Sequence, residues 1–178
     1  MRAEHPVPGA DDGFTLLELL IAVGIVSLVA ALAVPGLLRA RMTANEVGAI
    51  GSLRVTAAAQ KAYASTCGQG AYAESFVVLG STGPAGTPAF ISDDLGQSVT
   101  PTKAGYTYTL EPGANSIAGP DDCSGKPTIT GYYATAVPTT PGWTGGRSFA
   151  VGSNSVIWEL AGAAAPAEPF GPPAAPID

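Results

Sequence analysis

The chain has 178 residues with a formal net charge of −6 at pH 7; 12% of them are charged, and it contains 23 glycines and 16 prolines. The low charged fraction argues against a chain kept disordered by charge repulsion, and the acidic balance argues against a basic nucleic-acid-binding face. The length suits one small domain beside a membrane segment rather than two independent cores.

The first predicted element is an apolar helix over residues 14–34, in which Glu18 is the only ionisable side chain. At about 1.5 Å rise per residue this segment would extend roughly 31 Å, the thickness of a bilayer core. A carboxylate costs roughly 2.5–3.5 kcal/mol near the bilayer centre and somewhat less near one end. Glu18 is therefore predicted to be a functional residue with a partner.

A secretory signal or an ordinary single-pass anchor would explain the apolar run by itself. The apolar region of a signal is about 7–15 residues long and ends at a small-residue cleavage site, and this run is longer. An ordinary anchor gives no reason for an acid directly behind a Gly-Phe junction.

Residues 13–18 read Gly-Phe-Thr-Leu-Leu-Glu. They resemble the signature of the type IV pilin superfamily, in which a prepilin peptidase cuts after the glycine of such a segment. The resemblance implies that residues 1–13 are a removed leader, with cleavage after Gly13 and methylation of the new terminal amine on Phe14. It also implies that Glu18 acts in filament assembly. There the amine of a neighbouring Phe14 would neutralise the Glu18 carboxylate in a core of low dielectric constant.

Pro35 and Gly36 stand where many pilins carry a helix kink, at the end of a membrane and filament-core helix over residues 14–35. Proline removes a helical hydrogen bond, and we expect a bend or a locally melted turn here. Arg39 and Arg41 follow, and the positive-inside rule alone would place them in the cytoplasm. The resemblance implies the opposite topology, with the cleavage site on the cytoplasmic face of the inner membrane and the C-terminal head outside.

Residues 36–66 are predicted to continue the helix in amphipathic form. Apolar or small residues at Ile50, Leu53, Ala57 and Ala64 recur at steps of three, four and seven residues. This face would pack against a sheet, and the same small residues would also suit packing against other subunits.

Cys67 and Cys123 are separated by 56 positions and match no zinc-site spacing. In an exported domain we expect a disulfide between them, contributing about 4 kcal/mol on the chain-entropy model. The alternative is a pair of free, buried thiols in a cytosolic protein.

Residues 67–160 are predicted to form a globular head with an antiparallel sheet of about four strands, the last two joined as a hairpin. The predicted fold is therefore α+β, with a long N-terminal hydrophobic helix packed on a small sheet. Residues 161–178, rich in Ala, Pro and Gly, are predicted to form a flexible or partly polyproline tail. The strand-like segments cover residues 106–111, 128–137, 147–151 and 155–159.

The sequence does not favour an enzyme. Its one histidine, His5, lies in the predicted leader, so the mature chain offers no Ser-His or Cys-His nucleophile pair. Acidic pairs at residues 93–94 and 121–122 could bind calcium, but exposed acidic turns are much commoner. No cofactor or metal is predicted.

The predicted function is that of a structural subunit of a type IV pilus. It would wait in the inner membrane and then join an extracellular, homo-oligomeric helical filament with other pilins, using the prepilin peptidase and the pilus assembly machinery. Such pili support adhesion, motility or DNA uptake, without direct nucleic-acid binding by this chain. One alternative is a pseudopilin of a type II secretion system. An Asp-Pro-Trp-Gly stretch or an acidic calcium loop after the helix would favour it, and we find neither in the sequence. The other alternative is a monomeric membrane-anchored binding module.

Overall fold

The computed structural model describes residues 13–81 and 88–177, and within them it confirms the predicted α+β fold. One long helix, α1, covers Leu16–Thr66. Two short helices, α2 (Phe76–Gly80) and α3 (Asp93–Gly96), and two antiparallel sheets follow it. The chain forms two compact units, residues 1–38 and residues 39–178. Of the predicted leader, only Gly13 falls among the described residues.

The first unit contains the apolar part of α1, whose large side chains are exposed all round in the single chain. The helix is unbroken at Pro35, so the locally melted turn that we expected is not formed. Proline removes one backbone hydrogen bond, but the residues on both sides keep helical geometry. A bend at Pro35 and Gly36 stays a prediction.

The larger sheet of the second unit has six strands in the order β2-β3-β5-β6-β7-β8. Two more strands, β1 (Tyr72–Ala73) and β4 (Thr128–Ile129), form a separate pair. The six strands are β2 (Thr102–Lys103), β3 (Tyr106–Pro112), β5 (Tyr132–Pro138), β6 (Arg147–Gly152), β7 (Ile157–Ala161) and β8 (Ala175–Pro176).

The sheet is larger than the four strands expected from the sequence. Both edge strands, β2 and β8, are two residues long, which is too short to show an alternating pattern. The single strand predicted over residues 128–137 divides at Thr130 and Gly131, and its first part pairs with β1 instead. The predicted hairpin is confirmed, because β6 and β7 pair from Arg147↔Ala161 to Val151↔Ile157.

One face of the sheet and one side of α1 share the core of the head. Alternate residues of β3, Tyr106, Tyr108 and Leu110, are buried, and the same core contains Leu53 and Ala57 of α1. Alanine on the helix lets the backbones approach closely, while the tyrosine rings supply apolar area. The predicted amphipathic continuation of the helix therefore buries its small-residue side.

The C-terminal segment, residues 162–177, packs on the face of the sheet opposite α1 instead of forming the flexible tail that we expected. Phe170 stacks on Trp158 with ring centroids 5.5 Å apart, and the Tyr133 hydroxyl donates to the Pro166 carbonyl at 2.6 Å. β8 then pairs with β7, and Ala174 is buried. The aromatic side chains of β5 and β7 leave apolar area on this face, and covering it with chain removes that area from water.

This packing predicts that Phe170→Ala lowers the free energy of unfolding of the head by about 1–3 kcal/mol. The loss is smaller than the 3–5 kcal/mol typical of a buried phenylalanine, because Phe170 is half-buried. Ile117→Ala, at a side chain that is 71% exposed, should change it by less than about 0.5 kcal/mol. Denaturant unfolding of the detergent-solubilised chain measures both, and equal midpoints for the two variants would show that the segment adds no stability.

Candidate functional site

The N-terminus of α1 is closed by a reciprocal pair of hydrogen bonds between Thr15 and Glu18. The Glu18 backbone N–H donates to Thr15 Oγ1 at 3.2 Å, and the Thr15 backbone N–H donates to Glu18 Oε2 at 3.0 Å. The Thr15 hydroxyl also donates to Oε2, at 2.7 Å. This arrangement is a capping box, which satisfies N–H groups that the first helical turn leaves without partners.

The capping box supplies a local partner for Glu18 that sequence reasoning missed. The signal was present, because threonine followed three residues later by glutamate ahead of an apolar run is the sequence pattern of this motif. Both donated bonds from Thr15 reach the same carboxylate oxygen, Oε2. A carboxylate has about four acceptor sites, so Oε1 stays available for a further partner.

The residues predicted to be processed, Gly13 and Phe14, lie before the helix and are separated from it by Thr15. Gly13 and Phe14 precede the first residue of α1, and the Phe14 side chain is 85% exposed. Among the described residues, α1 is the one helix long and apolar enough to cross a membrane, with a mean hydropathy of 2.6 over 18 residues. Thus an apolar segment of membrane-spanning length starts three residues after the predicted cut.

The part of α1 within the head is joined to the sheet by a charged cluster that the sequence analysis did not identify. Arg147 binds Glu46 Oε2 through Nη2 at 2.6 Å and Glu159 Oε2 through Nη1 at 2.6 Å. Glu46 is 8% exposed, and its Oε1 accepts the Gly146 N–H at 2.9 Å. The hydrogen bonds from Arg147 to Glu46 raise the pKa of the guanidinium. A buried carboxylate needs such a partner, and the guanidinium supplies it.

The predicted disulfide joins Cys67, one residue past α1, to Cys123, with Cα atoms 4.8 Å apart. The neighbouring Asp122 is buried and accepts hydrogen bonds from the Tyr63 hydroxyl at 2.7 Å and from the N–H groups of Ser124 and Lys126. Burial alone would raise the pKa of Asp122, but these donors outweigh it and the pKa is lowered. The disulfide loop is thus held to the helix by a covalent bond and a charged acceptor.

One member of each acidic pair considered for calcium, Asp94 or Asp122, has another partner. Asp94 forms an ion pair with Lys103 at 2.6 Å, and the Asp122 carboxylate is occupied as described. Within residues 13–81 and 88–177, no three His, Cys, Asp or Glu side chains come together as a metal site would require. In the described residues, Asp94 therefore serves an ion pair and Asp122 serves as a hydrogen-bond acceptor within the head.

Comparison with protein families identifies one part of the chain. Residues 10–34 match the model described as the prokaryotic N-terminal methylation motif, the prepilin-type leader of type IV pilins. The match includes Gly13, Phe14 and Glu18. Comparisons with curated proteins and with solved structures gave no match. The motif indicates a type IV pilin-like or pseudopilin protein, processed by prepilin peptidase and structural rather than enzymatic, and the apolar helix fits anchoring in the inner membrane.

The lowered pKa of Asp122 predicts a pH-dependent contribution to stability. A carboxylate with a lowered folded-state pKa stabilises the fold above its unfolded pKa of about 3.9, and the contribution is lost as pH falls through the folded value. Asp122→Asn should lower the free energy of unfolding at pH 7 by about 1–3 kcal/mol, and the difference from wild type should shrink at pH 3. Denaturant unfolding at both pH values measures this, and a constant difference would argue against a role for the charge.

Proposed function

We propose that this chain is a structural subunit of a type IV pilus, held in the inner membrane before it enters an extracellular helical filament. The observation that carries the proposal is the methylation motif over residues 10–34, joined to an apolar helix whose side chains are exposed all round. Such a helix needs an apolar environment at every stage. The bilayer provides it before assembly, and equivalent helices provide it in a filament.

In the filament the apolar part of α1 buries its surface against neighbouring copies. A contact between two different surfaces of one subunit does not close on itself, so it repeats along a fibre. The proposed partners are therefore copies of this chain and other pilins, delivered by the assembly machinery after the prepilin peptidase has acted.

The proposed role of Glu18 is to pair with the methylated amine of Phe14 in an adjacent subunit. Its geometry supports this role, because the capping box holds Oε2 while Oε1 stays available. The carboxylate can then cap its own helix and neutralise a neighbouring amine at the same time. An unpaired charge in the apolar core would cost several kcal/mol per subunit.

The proposed biological roles are adhesion, motility or DNA uptake, with the C-terminal head outside the cytoplasm and no direct contact of this chain with nucleic acid. A pseudopilin of a type II secretion system is the second candidate, since the N-terminal methylation motif is equally compatible with it. The two differ in their product. A pilin forms long surface fibres, whereas a pseudopilin stays with the secretion machinery.

Processing gives the first test. Because Gly13 stands before the cut and Phe14 begins the mature chain, we expect surface material to start at N-methylated Phe14. Intact-mass and N-terminal peptide analysis of sheared surface fibres measures the terminus. Surface protein that still starts at Met1 would contradict the processing step.

Replacing Glu18 tests the assembly step and separates the two roles of its carboxylate. Glu18→Ala removes both the cap and the charge, whereas Glu18→Gln keeps the cap, because glutamine also completes a capping box. If charge pairing drives assembly, both variants should reach normal membrane levels and near-normal cleavage but yield few or no filaments. Immunoblots of membranes and electron microscopy of shear fractions measure these quantities.

Thr15→Ser is the matched control, since it keeps the hydroxyl that donates to Glu18 and should assemble normally. Normal filaments from Glu18→Gln beside a failed Glu18→Ala would assign Glu18 to helix capping alone. Normal membrane levels of wild-type protein with no fibre containing it, when the assembly machinery is present, would favour the pseudopilin or the membrane-anchored module instead.

A further inference from the structure

An exposed tryptophan stands on a tightly bonded loop between β5 and β6. The Trp143 side chain is 66% exposed. Two backbone hydrogen bonds of 2.9 Å close its loop: the Gly142 N–H donates to the Gly145 carbonyl, and the Thr144 N–H donates to the Thr140 carbonyl. A side chain at Gly145 would collide with the Tyr106 hydroxyl. The loop is therefore held in one shape with its indole in solvent.

The same loop is attached to the helix. Asn45 Nδ2 donates to the Thr144 carbonyl at 2.9 Å, and the neighbouring Glu46 accepts the Gly146 N–H. A single exposed apolar side chain is ordinary on a protein surface. Here the surrounding bonds fix where the indole is presented, which is what a contact residue at an interface needs.

The head also has a cleft of about 380 Å³, within the usual size of binding pockets. Its walls are residues 113–116, residues 130–132, Ser153 and residues 168–170. Pro169 and Phe170 supply apolar surface. Glu168 Oε2 accepts the Ala114 N–H at 2.7 Å, and among the described residues Oε1 receives no hydrogen bond. The cleft thus combines an aromatic wall with a carboxylate, of which Oε1 lies beside Gly152 and receives no hydrogen bond among the described residues.

The tryptophan and the cleft lie at opposite ends of the sheet. β5 begins at Tyr132, which lines the cleft and packs on Tyr72 beyond the end of α1. It ends at Pro138, directly before the loop that carries Trp143. That loop is hydrogen-bonded to Asn45, near the start of the part of α1 that belongs to the head. Seven residues of strand separate the two ends by about 20 Å.

We propose that Trp143 of one subunit inserts into this cleft of a second copy of the chain. The indole packs against Phe170 and Pro169, and its N–H donates to Glu168 Oε1, because the indole nitrogen is a donor without acceptor capacity. Each subunit then offers a free tryptophan at one end and a free cleft at the other. The contact is head-to-tail and repeats without closing, and it rests on the proposed filament function.

Cysteine crosslinking in assembled fibres tests the contact. Pro141→Cys places a thiol beside Trp143, and Asn115→Cys places one at the rim of the cleft. Both positions are exposed. The native cysteines are joined in a disulfide, so they do not compete for the crosslinker. The full chain carrying both substitutions, assembled in cells and treated with a short bismaleimide, should give a ladder of three or more linked subunits. Either single variant, and Pro141→Cys combined with Ser98→Cys outside the cleft, should give no ladder.

Filaments of the double variant without a ladder would overturn the contact while leaving the proposed filament function intact. Absence of wild-type filaments would remove the filament function and this contact with it.

A second measurement does not depend on added thiols. Trp143→Ala should lower filament yield at least several-fold, and Trp143→Phe should lower it less. Neither variant should change the unfolding midpoint of the detergent-solubilised chain. Wild-type yield from Trp143→Ala would also overturn the contact.

Discussion

A single continuous helix has to be stable in two different surroundings, and the rest of the structure depends on that constraint. Up to Leu37, the large side chains of α1 are exposed on all sides, so this part needs an apolar solvent or other helices around it. From Glu46 onward one side is buried in the head, through small or apolar residues such as Ala49 and Leu53. The sheet covers that side, and the opposite side stays exposed.

Charges are few in this chain, and both acidic side chains of α1, Glu18 and Glu46, are held by hydrogen bonds. Glu18 accepts two bonds from Thr15 in the first turn. Glu46 is paired with Arg147, which is paired in turn with Glu159. In surroundings of low polarity an ion without such partners is costly. The first pair therefore gives the acid of the apolar segment local partners, and the second joins the helix to the sheet.

The head has two unlike ends because of how its strands and its last segment are connected. The β5–β6 loop is bonded to the helix at Asn45 and Glu46. At the other end, the C-terminal segment brings Glu168 and Phe170 against the loop after β3 and forms a cleft. A subunit with different surfaces at its ends favours polar, repeating assemblies over closed pairs. In the head-to-tail contact proposed above, the C-terminal segment would supply part of the interface as well as stabilising the head.

The sequence by itself determined the features written in neighbouring residues. The apolar run, the Gly-Phe-Thr-Leu-Leu-Glu segment, the helical period after Pro35 and the β6–β7 hairpin are local patterns, and two cysteines allow one intrachain pairing. The capping box was readable too, from the spacing of Thr15 and Glu18, although we did not predict it. The α+β fold followed from these patterns.

Tertiary structure decided what depends on residues far apart in the chain. Glu46 and Arg147, which form the ion pair, are 101 positions apart in the chain. No local sequence pattern predicts that their side chains come into contact. The edge strands β2 and β8 have two residues each and exist because neighbouring strands offer free hydrogen-bonding groups. The C-terminal segment was predicted to be a tail because its composition is poor in apolar residues, yet its Phe170 ring stacks on Trp158 of the sheet. Local propensity describes what a segment prefers alone, whereas burial against a distant surface adds free energy that exists only once the chain has folded.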